Sequence, residues 1–213
     1  MDKNLSFVYE QRVKRTIENL EKNNMEAFYV ENETAVLEKV QELISEGNTV
    51  AVGGSMTLFE TGIIELLRTG KYNFLDRYAE GLSAEGIKEV FRKSFFADAY
   101  VVSSNAVTEE GQLYNVDGNG NRVAAMLYGP DKVIVIVGVN KIVKDVQAAA
   151  ERCKQVAAPA NNVRLTTNNP CSKIGTCMDC KSPTRICNNY VLIGRQGRKD
   201  RIKVIIVGKE LGY

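Results

Sequence analysis

The chain has 213 residues and a mass of 23.6 kDa, enough for one large domain that needs no disulfide framework. With 44% apolar and 25% charged residues, it is excluded from the disordered and fibrous classes. A net charge of +2 gives no electrostatic footprint for nucleic acid. The absence of histidine removes every mechanism built on a histidine base or metal ligand.

The first 24 residues predict an amphipathic helix, with Leu5, Val8, Tyr9, Val13, Ile17 and Leu20 at three- and four-residue spacing. Ala27 to Val30 is a short strand. A second helix follows, capped by Asn32 or Thr34, with Val36, Leu37, Val40, Leu43 and Ile44 on one face and Gly47 past its end. Thr49 to Val52 predicts a buried strand running into Gly53-Gly54-Ser55, then a helix from about Met56 to Arg68. Tyr72 to Leu75 is a possible strand, Ser83 to Phe96 a helix, and Ala99 to Ser103 a further strand.

Thr108 to Tyr114 predicts a turn and a short strand, and Asp117 to Asn121 carries the densest turn signal. The unalternating run Val133 to Val137 predicts a central strand covered on both faces. A helix from Lys141 to Val156 is expected next. After Pro159 the sequence turns polar, and a cysteine-rich excursion is expected at about 161–189. Two last strands, Tyr190 to Ile193 and Ile202 to Val207, are expected as a pair flanking a solvated basic turn with Arg195, Arg198, Lys199, Arg201 and Lys203. The alternation of strand and helix predicts an α/β fold with a mainly parallel open sheet flanked by helices, as one domain over residues 1–213. The longest apolar run, Val133 to Val139, is far below the roughly 20 residues needed to span a bilayer. The amino-terminal sequence shows no hydrophobic leader, so a cytoplasmic protein is expected.

Three motifs could carry chemistry. Cys171-x5-Cys177-x2-Cys180-x6-Cys187 places four thiols in a 17-residue window. An all-sulfur set suits a [4Fe–4S] cluster or zinc; the alternatives are a redox-active Cys177–Cys180 pair or a polar loop holding no metal. Cys153 continues a helix stripe and reads as a buried structural thiol. At Gly53-Gly54-Ser55-Met56-Thr57, a strand-to-helix turn could offer backbone N–H groups and the Ser55 and Thr57 hydroxyls to an anion, or be a plain tight turn with Ser55 as N-cap. The loops holding Asn105, Glu110, Asp117, Gly118, Asn119, Gly120, Asn121 and Arg122 offer acid/base carboxylates at Glu110 and Asp117 and an anion clamp at Arg122; the alternative is turn chemistry alone.

The segment Ser104 to Gly111, with Asn115 to Ala124 and Tyr128 to Val143, resembles the lactate-utilisation (LUD) domain family. The Gly53-Gly54-Ser55 turn and the ending Arg201 to Val207 share the resemblance. It implies a fold like that of ribose-5-phosphate isomerase, glucosamine-6-phosphate deaminase and the CoA transferases. It places the pocket between Gly53-Gly54-Ser55 and the Asn105 to Arg122 loops. It implies kinship with proteins of bacterial L-lactate oxidation, where such subunits work beside iron–sulfur partners. The chain lacks the ferredoxin-like cysteine runs of those partners; its own segment resembles that of a short stand-alone subfamily. The expected role is accessory or electron-transferring, in oxidation of lactate or a related 2-hydroxy acid. The alternatives are a non-catalytic metabolite- or partner-binding subunit with a structural metal, and an isomerase- or transferase-like enzyme acting on a phosphosugar or acyl-CoA. Expected partners are a small anionic metabolite, iron–sulfur or redox proteins and a second copy of the chain, with no nucleic acid and no membrane.

Overall fold

The computed structural model describes residues 2–213. Its elements in chain order begin with α1 (Lys3–Lys22), β1 (Glu26–Val30), α2 (Glu33–Leu43), β2 (Thr49–Val52), α3 (Met56–Glu60), α4 (Ile63–Leu67), β3 (Asn73–Leu75) and α5 (Ala84–Lys93). The middle holds β4 (Ala99–Val102), β5 (Ala106–Thr108), β6 (Leu113–Asp117), α6 (Asn121–Tyr128), β7 (Val133–Gly138) and β8 (Ile142–Val143). The last part holds α7 (Val146–Arg152), α8 (Ala158–Arg164), α9 (Cys171–Ile174), β9 (Asn189–Ile193) and β10 (Ile202–Val207).

Six strands form a parallel sheet in the order β1-β10-β7-β4-β2-β3. The unbroken apolar run of β7 has a direct cause. Val133, Val135 and Val137 face the layer of α1 and the smaller sheet, while Ile134 and Ile136 face the layer of α2, α3 and α4. A strand buried on both faces keeps no polar alternation. The smaller sheet, β8-β5-β6-β9, is mostly antiparallel. Its Val107, Leu113, Ile142 and Ile193 join the same core as β7 and β10, so the two sheets pack as one body.

Several expectations need correction. The helix expected over Met56 to Arg68 is two short helices, broken where Gly62 takes a φ of 72°. The helix expected from Lys141 begins only at Val146, because Val139–Lys141 forms a 3-10 turn and β8 intervenes. Pro159 does not end that helix. It sits in the first turn of α8, directly after a π-helical turn at Cys153–Ala157, so the helical run passes through the proline by way of that irregular turn. The irregular segment therefore starts after Arg164 rather than at 161.

The last two strands are not a pair. β9 adds to β6, and β10 lies between β1 and β7. The basic segment joining them crosses between sheets, and much of its charge is engaged. Arg201 is buried and donates to Pro130 O and Met126 O, closing the end of α6. Arg198 pairs with Asp131 and Lys203 with Glu26. The helix α6 has no counterpart in the sequence reading. The amphipathic face of α1 is buried only from Val13 onward; Leu5, Phe7, Val8 and Tyr9 are exposed.

Candidate functional site

The carboxyl ends of β2, β4 and β7 point the same way, and ligands in such sheets bind beyond those ends. A polar cavity of about 330 Å³ lies there. Each parallel strand contributes as it leaves the sheet: Gly54 and Ser55 after β2, Ser103 and Ser104 after β4, and Lys141 after β7.

Lys141 is the least expected member. Its side chain is 2% exposed. The ammonium nitrogen donates to Thr57 Oγ1 at 2.9 Å and Ser103 Oγ at 3.0 Å. Burial, reinforced by the charges of Arg152 and Arg122, lowers its pKa to about 7, so the amine is near its titration midpoint at neutral pH. Thr57, expected to contact a ligand, is itself fully buried and serves as an acceptor for Lys141.

Gly53 and Gly54 do different jobs. A Cβ on Gly53 would stand 2.5 Å from Val102 Cγ2 and 3.1 Å from Arg122 Cγ, so only glycine lets these strand ends close up. At Gly54 the nearest atom to such a Cβ would be Arg77 Nη1, at 3.2 Å. The Arg77 guanidinium therefore lies over the glycine turn. It is held against the Phe91 ring at 4.5 Å and the Tyr78 ring at 5.2 Å. Its buried Nε has no partner. Ser55 occupies the N-cap position of α3 but makes no side-chain cap bond.

Arg122 is a hub. Nη1 donates to Ser103 O and Asn115 Oδ1, and Nη2 to Asn105 Oδ1 and Val116 O. Nε stands 3.4 Å from Asp117 Oδ2. Every face of the fork meets a protein acceptor, so the arginine expected as an anion clamp instead holds its surrounding loops together. Asp117 also accepts from Val123 N–H, capping α6. Asn105 Oδ1 additionally accepts from Val116 N–H, and Asn105 O from Arg152. Gly120 starts α6 with a φ of 80°. Gly118, Asn119 and Asn121 line the cavity.

Glu110 is elsewhere. It is exposed at the tip of the β5–β6 hairpin, which seats on α1: Asn23 donates to Glu110 O and Gly111 O. Sequence reasoning missed other parts of the cavity wall, among them Arg77, Arg164, Ile186 and Tyr213, whose hydroxyl lies beside the Arg164 guanidinium. Lys141 was hidden inside a predicted helix. The signal for it was its place, three residues after the most apolar strand.

The family model for the LUD domain matches residues 13–207. The chain belongs to the LUD-domain family. None of the curated proteins matches it. Among solved structures, it is similar to a DUF162 family protein from Deinococcus radiodurans, with 15% identity, a TM-score of 0.54, and coverage of 94% of this chain and 98% of that one. It is also similar to eIF2B delta from Chaetomium thermophilum, with 20% identity and a TM-score of 0.37, over 55% of this chain and 50% of that one. At such identities the first likeness speaks to fold alone.

In this LUD domain the cysteine segment forms one rim of the cavity. Asn188 N–H donates to Asp117 O, and the Asn188 and Asn189 side chains donate to Gly118 O. Ile186 lines the cavity one residue before Cys187. Cys171 is buried, and Cys177, Cys180 and Cys187 are partly exposed; all are free thiols. Among the described residues, no three metal-ligating side chains stand together in ligating geometry. Cys153 is buried beneath the segment, next to Lys154 whose carbonyl accepts from Cys177 N–H, and burial raises its pKa to about 11. No helix among the described residues is long and apolar enough to cross a membrane.

Proposed function

We propose that this LUD domain binds a small 2-hydroxy or 2-oxo acid in the cavity, with Lys141 taking the hydroxyl proton of the 2-hydroxy acid and returning it to the oxygen of the 2-oxo acid. One observation carries the reading: a buried lysine amine, held between two hydroxyls, lines a cavity ringed by arginines. Among the described residues neither Arg77 nor Arg164, which line it, pairs with a carboxylate, while the lining Asp117 side chain already faces Arg122. Such a ring favours an anion. An amine titrating near 7 accepts or returns a proton at neutral pH. The volume of about 330 Å³ is at the small end of ligand pockets, which favours a small acid over an acyl-CoA.

In this reading Arg77 takes the role first expected of Arg122, because its guanidinium lies over the Gly54 turn and Arg122 has no free donor direction. The LUD-family membership supports the finer role, oxidation of lactate or a related acid. Lys141 would take the hydroxyl proton, and the hydrogen on the carbon with the two electrons would pass to a redox partner, which hands the electrons on and releases the second proton to solvent.

Thermal-shift titration tests the reading. L-lactate and pyruvate should raise Tm, and Arg77→Ala should abolish the rise. A rise with ribose 5-phosphate or CoA alone would move the protein to the isomerase- or transferase-like class. No rise with any of the four would leave the cavity without its assigned ligand class and sink the proposal.

A further inference from the structure

The segment from Cys171 to Cys187 has no core of its own. Within it only Cys171 is buried, while Ile174 and Met178 are more than half exposed. A polar loop of this length must be fixed by something other than apolar packing. Three sets of bonds instead hold the chain on either side of its cysteines.

The first set closes the ends. Asn169 Nδ2 donates to Thr184 O, and Thr184 Oγ1 donates to Asn169 Oδ1, which brings the chain before Cys171 against the chain before Cys187. Asn169 is itself 1% exposed and bonded to Asn162, so this tie is anchored in α8. The second set is centred on Arg185. Its Nε donates to Cys187 O, Nη1 to Cys180 O, and Nη2 to Asp179 Oδ1 and Tyr190 Oη. One guanidinium thus joins the Cys177–Cys180 turn to Cys187. The third set lies within that turn. Asp179 takes a φ of 46°, and its N–H donates to Cys177 Sγ at 3.3 Å. A left-handed residue inside Cys-x-x-Cys, with a backbone N–H aimed at the first sulfur, is the local geometry that turns two sulfurs to one side and stabilises negative charge on the first.

We infer that Cys171, Cys177, Cys180 and Cys187 form a four-thiolate site for one thiophilic metal centre, a zinc ion or an iron–sulfur cluster, at the rim of the cavity. The donor set is all sulfur, which selects soft cations over magnesium or calcium. The ties through Arg185, Asn169 and Thr184 use backbone and side-chain oxygens only, so every thiol stays available. The four thiols do not yet stand in ligating geometry, so closing the shell requires the three partly exposed cysteines to turn their side chains inward. The centre would replace the missing core of the segment, since four metal–sulfur bonds fix a loop that no apolar residue fixes.

Elemental analysis, sulfide assay and thiol titration of the full chain purified anaerobically test the site. About one zinc per chain with no visible absorption, or iron with acid-labile sulfide and a visible band bleached by dithionite, supports it and identifies the occupant. Cys180→Ser should lower bound metal about tenfold or more. Cys153→Ser, a buried thiol outside the set, should keep full metal content, which separates ligand loss from misfolding. A folded, metal-free chain with all four thiols titratable, even after anaerobic reconstitution with zinc or with iron and sulfide, would overturn the assignment. So would a Cys177–Cys180 disulfide in the protein as isolated.

Discussion

On one side of Asp117 the cavity floor rests on β4 and β7, in which every residue is buried. On the other side the rim is the cysteine segment, which has one buried residue between Cys171 and Cys187. The floor is fixed by hydrophobic burial, which is collective and penalises any buried polar group that loses its partner. The rim is fixed by a few directional bonds, each of which matters locally and little globally. Lys141 and Arg122 belong to the first side and Arg185 to the second, so substitutions there should differ in kind as well as size.

The largest effect should come from Arg122→Ala. It would leave the Asn105, Asn115, Ser103 and Val116 oxygens without their donor and Asp117 without its counter-charge. Stripping one partner from a buried charged network costs about 3–5 kcal/mol. Urea denaturation should show that loss, with ligand stabilisation lost alongside it. Arg122→Lys should recover little, since an ammonium cannot reproduce a planar fork. A variant of wild-type stability that had merely lost ligand would return Arg122 to the role of substrate clamp.

Lys141→Met should act with the opposite sign. The folded pKa of about 7 lies below the ordinary 10.5 of the unfolded chain. Between those values the unfolded state binds more protons, so wild-type stability climbs as pH rises from 7 toward 10.5. Below pH 7 the full cost of charging the buried amine is present. The methionine variant lacks this climb. Its Tm should exceed that of the wild type by several degrees at pH 6, with the gain shrinking toward pH 10, while the lactate-induced shift disappears. A gain independent of pH would mean that Lys141 titrates normally.

Arg185→Ala tests the other side. Global stability should change by about 1 kcal/mol or less, because no core packing is lost. Hydrogen exchange and proteolysis within residues 165–188 should accelerate strongly, and metal content should fall only in part. An equal loss of protection in β4 and β7 would show that rim and floor unfold together, and the contrast between them would fail.

The floor was legible in the sequence and the rim only half so, for a physical reason. Strands such as Val133 to Val137 announce burial through composition, and Gly53-Gly54 announces a close approach. Four cysteines in 17 residues announce a shared task. Hydrogen-bond partnership has no such mark. Nothing local distinguishes Arg122, with its donors all engaged, from Arg77, whose guanidinium lies over the glycine turn. Lys141 is hidden because the helical spacing of Val143, Val146 and Ala149 continues smoothly back to it, and the short 3-10 turn at Val139–Lys141 has no periodicity of its own to interrupt that pattern. The helix α6 was lost because eight residues after a glycine-rich turn offer barely two turns of pattern.

The smallest effects should come from the hairpin tip, and they separate two neighbouring carboxylates that sequence spacing cannot tell apart. Glu109 pairs with Arg12 and Arg15 of α1 through its two oxygens, each at 2.8 Å. Those pairs are partly exposed, so each contributes about 0.2–1 kcal/mol and is weakened by salt. Glu109→Gln should lower stability by roughly that amount at low ionic strength and by less in high salt. Glu110 is exposed and only its backbone oxygen is used. Glu110→Gln should leave stability within about 0.5 kcal/mol of wild type, and ligand-induced thermal shifts should be unchanged in both variants. If Glu110→Gln alone removed the lactate shift, the acid/base carboxylate would lie on the α1 side of the molecule, and the cavity around Lys141 would lose its claim to the chemistry.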